Sequence, residues 1–269
     1  MTVRVLAYEV RRLRGLRSTW LILAADLLAA AAEAAVVARQ LPVGQLGTAA
    51  AVRCVTAVVP LLPLPIAALG AGALGALSYG HEVRYPGLPA GRVSYRRRLG
   101  LLVAKLAVTG VLAVLLAAAS VLLDAAVLRL LHAPGARVAA LFDPASAGFA
   151  DALRPLLLFV GLTALAGWSG LLVTSLVRSA AAGLLILCAV PALLEPVLSL
   201  LLRQSGRVWP AQLRELLPFQ YGLDLVRGAD AQQSAVSATL DGTLLTAVSV
   251  PAVLLLLAGL LVQARRRAL

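Results

Sequence analysis

The sequence predicts an all-α, polytopic membrane domain with six transmembrane helices. Three observations carry that prediction. Of 269 residues, 61% are apolar and 13% charged, and the mean hydropathy is +0.93; a soluble domain carries about 25% charged residues. The apolar residues run in blocks of roughly 20, the length of helix that crosses a hydrocarbon core of about 30 Å. Arginines stand at the block ends, where membrane proteins place basic residues for orientation. So apolar a chain is excluded from the disordered class, and too little polar residue content remains to clothe a water-soluble globule. The net charge of +12 is a topology signal rather than a nucleic-acid footprint, because it is almost all arginine at block ends with a single lysine, Lys105. The Ala, Arg, Gly, Pro and Leu bias matches a GC-rich bacterial genome.

The elements follow in order along one domain, 1–269. Residues 1–18 hold a short amphipathic helix with Val3, Leu6, Val10 and Leu13 on one face and Arg4, Tyr8, Arg11 and Arg12 on the other. Such a helix lies in the headgroup plane with its basic face toward anionic membrane lipid. Its pattern fails around Gly15, where the chain turns into the first span. The spans are expected at about 19–38, 54–78, 101–124, 153–177, 180–202 and 243–262. The runs lack the short alternation of barrel strands, so helices are the spanning form. Pro60, Pro63 and Pro65 loosen the outer half of span two, and Pro191 and Pro196 break span five near its far end. Ala68/Gly72 and Ala71/Gly75 repeat at four-residue spacing, which permits close helix contact, either inside the domain or between subunits.

Fifteen of the 24 basic residues fall before span one, between spans two and three or just inside span three (Lys105), between spans four and five, or in the tail; nine fall on the other side. The positive-inside bias therefore places both termini in the cytoplasm, which an even number of spans satisfies. The basic start is followed by too long an apolar block, without a clear cleavage site, for a secretory signal peptide. The external stretch 203–242 carries Trp209, Leu216, Leu217, Phe219, Tyr221, Leu223 and Leu225 around Pro218, enough apolar surface to re-enter the outer leaflet.

The segment from 78 to 105 is the most informative. A span ends in Tyr79-Gly80-His81-Glu82, a short turn follows, then Leu88-Pro89, Arg92, an Arg96-Arg97-Arg98 restart, and Lys105 one turn into the next span. This resembles the permease subunits of ABC-2 type ABC transporters, in which a Glu after span two and a Leu, Pro, small residue, Arg stretch before a Lys-bearing span three recur. The layout of the whole chain is similar; the residue-level motif covers about 79–105. The sequence departs from the family at Tyr85-Pro86-Gly87, which shortens the turn. The resemblance implies a membrane subunit that exports an amphipathic or hydrophobic substrate, pairs with a second permease subunit (identical or homologous), and is driven by two copies of a separate ABC ATPase. It further implies that Tyr79, His81, Glu82, Arg84 and Arg92, with Arg4, Arg11 and Arg12 of the amphipathic start, couple the domain to that ATPase in a bacterial plasma membrane.

Catalytic constellations are otherwise absent from the sequence. The Walker A pattern needs Gly-Lys-Ser/Thr, and Ala104 precedes the single lysine, so ATP and Mg would be bound by the partner ATPase and not by this chain. No Ser-nucleophile elbow and no zinc spacing occur, and Cys54 and Cys188 lie too far apart along the spans for a disulfide. Four acids fall inside or at the ends of spans: Asp26, Glu33, Asp124 and Glu195. A charge in hydrocarbon costs about 2.5–3.5 kcal/mol on insertion scales, so such groups face the protein interior, water or a basic partner. Arg39, Arg129 and Arg203 are the available partners. Asp26 and Glu195 are the candidates for a substrate path. They also keep a second function class open, an ion-coupled carrier, beside a non-transporting scaffold or an intramembrane enzyme.

Overall fold

A computed structural model describes residues 3–40, 47–56, 64–84, 95–131 and 141–190, besides isolated positions. The described residues form seven helices: α1 (Val3–Gly15), α2 (Arg17–Gln40), α3 (Thr48–Val55), α4 (Ile66–Arg84), α5 (Tyr95–Leu131), α6 (Ala147–Val177) and α7 (Ala180–Ala189). Three of them contain stretches long and apolar enough to cross a membrane: Arg17–Gln40, Gly100–Leu131 and Asp151–Val177. Ile66–Gly80 and Ala180–Ala189 are shorter apolar helices. The expected sixth span at 243–262, most of the fifth beyond Ala189, and the external stretch 203–242 lie outside the described residues.

Helix α6 is the centre of the bundle. Of its apolar window 61% is buried, against 22% for α2, whose apolar face is left on the outside. Its closest packing is with α4, and it also touches α3, α5 and α7. The core runs the length of the bundle in three patches. The largest joins Val55, Leu64, Leu128, Leu141, Phe159, Leu162 and Leu165; the next holds Leu74 and Leu116, and the last holds Leu102, Leu171 and Leu172. Several hydroxyls inside this apolar matrix are satisfied one turn back along their own helices, while Thr174 Oγ1 has no hydrogen-bond partner among the described residues. Ser78 donates to the Gly75 carbonyl at 2.7 Å, Ser120 to Leu116 at 3.0 Å and Thr163 to Phe159 at 2.8 Å. In an interior without water this local bond removes the cost of an unpaired polar group.

One helix does not run through the whole of 54–78. Helix α3 ends at Val55, and α4 begins at Ile66 after a bend at Leu64 and Pro65. Pro65 closes the new helix by offering its carbonyl to the N–H groups of Ala68 and Leu69 at 2.9 and 3.1 Å. Proline cannot donate to an earlier turn but is pre-set for a first one, so Pro65 stands where a helix starts; Pro60 and Pro63 lie outside the described residues.

The turn between α6 and α7 is only Arg178-Ser179, where the sequence pattern places it. Ser146 and Ser179 cap the two helices, accepting from the N–H groups of Phe149 at 3.1 Å and Ala182 at 3.3 Å. Arg178 takes the left-handed conformation, φ 58° and ψ 22°, and its N–H bonds the Thr174 carbonyl at 2.8 Å. Glycine usually fills this position because a Cβ costs about 1 kcal/mol there. Arg178→Gly should therefore raise stability by about 0.5–1 kcal/mol. Thermal unfolding in detergent checks this; an unchanged or lower midpoint would show that the guanidinium contributes more than the backbone strain costs.

Small residues on α4 and α6 bring their backbones into contact. A Cβ built on Gly170 meets the Gly72 carbonyl oxygen, and one on Gly75 meets the Gly167 carbonyl oxygen. The four-residue repeat Ala68/Gly72 and Ala71/Gly75 is thus used for packing inside the domain, against a matching Gly167 and Gly170 on α6.

Candidate functional site

Helix α1 and the α4–α5 pair meet in a polar cluster at one end of the bundle. Glu9, on α1, is buried, as is Lys105 on α5. The Lys105 Nζ lies 3.8 Å from Glu9 Oε1, with both side chains 3% exposed. The other Glu9 oxygen, Oε2, is 3.5 Å from Arg12 Nη1 one turn along α1. Lys105 Nζ also stands 5.7 Å from the centre of the Tyr79 ring on α4, within reach of a cation–π attraction. One carboxylate is therefore flanked by two cations, one of them over an aromatic face, and the cluster ties α1, α4 and α5 together. A buried pair of this kind contributes a fixed register more than net stability, because desolvation offsets most of its Coulomb attraction.

This arrangement adds a contact to α1 that its amphipathic pattern does not name. The predicted apolar face was Val3, Leu6, Val10 and Leu13. The face that packs holds Glu9 and Leu13, while Leu6 and Val10 are 37% and 36% exposed. Glu9 and Leu13 face the bundle, and Leu6 and Val10 stay on the exposed flank of the helix. Arg11 and Arg14 stand exposed on the far side. The chain then bends at Leu16 into α2, and the Trp20 indole N–H donates to the Arg14 carbonyl at 2.9 Å across that elbow.

Of the residues assigned to ATPase coupling, Tyr79 and Arg12 fall in the cluster, and Arg11 lies on the outer face of α1. Arg4 is on α1, and His81, Glu82 and Arg84 are on the last turn of α4; their side chains lie outside the described residues. Arg92 and Glu195 also lie outside them. Glu9 is the residue that sequence reasoning missed.

A second polar cluster sits deeper. Asp26 on α2 and Asp124 on α5 are 6% and 0% exposed. The Asp26 carboxylate lies against the Gly70 backbone, where a Cβ would meet it. Asp124 is close enough to Glu33 and Asp26 to interact with both electrostatically. Neither Asp124 oxygen has a hydrogen-bond partner among the described residues. Helix α5 continues past Asp124 to Leu131, and no ion pair to Asp124 occurs among the described residues; Arg203 lies outside them. Among those residues no group of His, Cys, Asp or Glu is arranged to hold a metal. Cys54 and Cys188 are free thiols.

No family model, curated protein or solved structure matches the chain.

Proposed function

We propose that the chain is the membrane subunit of an ABC-2 type, ATP-driven transporter in a bacterial plasma membrane, exporting an amphipathic or hydrophobic substrate. In this reading both termini and the 85–94 turn are cytoplasmic, six helices span the bilayer, and two such subunits, identical or homologous, enclose the substrate path. Two ABC ATPase subunits bind ATP and Mg and close against the cytoplasmic face. The observation that carries the reading is the Glu9–Lys105 contact beside Tyr79. It joins α1 to the ends of α4 and α5, the two elements that the resemblance assigns to the ATPase. A push on α1, or on Glu82, Arg84 and Arg92, is then felt by both helices at once, and rigid helices carry it to the substrate path.

Purification of the tagged chain from its native host in mild detergent tests this. A P-loop ATPase should co-purify in equal number, and substrate should stimulate its hydrolysis. A chain that purifies without an ATPase and whose transport in vesicles collapses with the proton gradient would sink the proposal. That outcome would favour the second reading, an ion-coupled carrier, for which the buried Asp26 and Asp124 are the supporting observation; Asp26→Asn would then abolish the remaining flux.

A further inference from the structure

We propose that the α1–α2 elbow is a binding site for the anionic headgroup of a bilayer phospholipid. The cluster around Glu9 divides the arginines of this region into two sets. Arg12 is drawn to the carboxylate. Arg11, Arg14 and Arg17 are exposed, and no ion pair to any of them occurs among the described residues. They bracket the bend at Leu16, Arg11 and Arg14 three residues apart on α1 and Arg17 opening α2. Three guanidiniums around one corner, none of them in an ion pair among the described residues, set up a positive potential that calls for an anion. Guanidinium is also the cation whose fork fits phosphate oxygens.

The apolar groups at the same corner name the source of that phosphate. Leu6 and Val10 are exposed on the flank of α1, and Trp20 is 58% exposed with its indole N–H fixed to the Arg14 carbonyl. A free phosphate has no use for them, whereas a phospholipid presents acyl chain to the apolar flank and phosphate to the guanidiniums, with the indole at the boundary between the two. Helix α1 is thus three-sided: one side holds Glu9 and Leu13 on the bundle, one flank meets acyl chains, and the outer face meets headgroups. The sequence alone suggests a general attraction of a basic helix for an anionic surface. The structure adds a defined corner, three named arginines and an aromatic reporter within it. This inference does not depend on the transport reading.

The test uses the full chain in vesicles of zwitterionic phosphatidylcholine doped with a small fraction of acyl-brominated lipid, which quenches tryptophan only on contact. The protein has three tryptophans, so the Trp20 contribution is taken as the difference between the natural chain and Trp20→Phe. Brominated phosphatidylglycerol should quench Trp20 several-fold more than brominated phosphatidylcholine at equal content, since one arginine at an anionic surface favours partition by about fivefold. The preference should disappear in Arg11→Gln/Arg14→Gln/Arg17→Gln. In the natural chain it should fade as salt rises to about 1 M, where the Debye length falls to about 3 Å, and that arm stands even if the triple variant does not fold. Equal quenching by both lipids would overturn the proposal, as would a preference that survives the triple substitution. Loss of the preference on adding soluble glycerol phosphate would show a free-phosphate site instead. A triple variant that keeps the lipid preference and loses a co-purifying ATPase would show that this face is a protein contact.

Discussion

Gly170→Ala should destabilise the domain by about 3 kcal/mol, the upper end for overpacking a tight interior, whereas Gly167→Ala should be nearly neutral. The two glycines are three residues apart on the same buried helix, so composition, depth and helix propensity are shared. They differ in what a new methyl would meet. At Gly170 it would stand against the Gly72 backbone, 2.9 Å from its carbonyl carbon and 3.0 Å from its Cα. At Gly167 the nearest atoms are the Ala113 Cβ and Thr109 Cγ2, both at 3.4 Å, ordinary contact distance. Gly75→Ala should resemble Gly170→Ala, because its methyl would press on the Gly167 backbone. Gly72→Ala should be milder, since the obstacle is the flexible end of Leu187. Backbone cannot rotate aside as a side chain can, and separating α4 from α6 forfeits the most extensive packing in the bundle. Denaturant titration of the four variants in detergent gives the order directly. Equal losses at Gly167 and Gly170 would mean that α4 and α6 do not cross at these glycines.

Lys105→Met should cost about 3–5 kcal/mol, because it leaves the buried Glu9 carboxylate with only the Arg12 guanidinium at 3.5 Å among the cations of its cluster. Glu9→Leu should cost a similar amount by removing the carboxylate from the buried ammonium. The double variant should recover most of the loss, since two well-packed apolar side chains replace two desolvated charges without an uncompensated charge. A double-mutant cycle on unfolding free energy measures this coupling. Additive losses would show that Glu9 and Lys105 do not pair. On the transport reading, the double variant should fold and bind its ATPase, yet lose substrate-stimulated hydrolysis, because an apolar contact slides where an ion pair holds register. Wild-type coupling in the folded double variant would reduce the cluster to a structural tie.

The helical class and the three long apolar helices were legible because hydrocarbon-length apolar blocks leave few alternatives. The block at 19–38 became α2, and the boundary between 177 and 180 was visible as an Arg-Ser pair between two apolar runs. The rest depended on matching surfaces that periodicity does not see. The small-residue stripe on α4 was plain, but its partner was not, although Gly167-Trp168-Ser169-Gly170 carries the complementary spacing. For the polar cluster, hydrophobic periodicity weights Glu9 as a surface residue and gives no sign that it docks on Lys105. A signal did exist: Glu9 is the one acid in a strongly basic start, and Lys105 is the one lysine of the chain. Two rare charges of opposite sign in segments otherwise held to one character are a reason to test their pairing. The length of α5 was hidden for a related reason, since helix ends are read from composition, and α5 runs 37 residues without an internal stop.

The contact between Glu9 and Lys105 also provides a chemical clock. Among 269 residues there is one lysine side chain, and it is 3% exposed beneath α1. An amine-acylating reagent is shut out while α1 is seated and gains access when it lifts, so the acylation rate at this position reports the docked fraction of α1 without any engineered label. Counting acylated Lys105 by peptide mass, at rest and during turnover, would time the lifting of α1 against the steps of whatever cycle the protein runs.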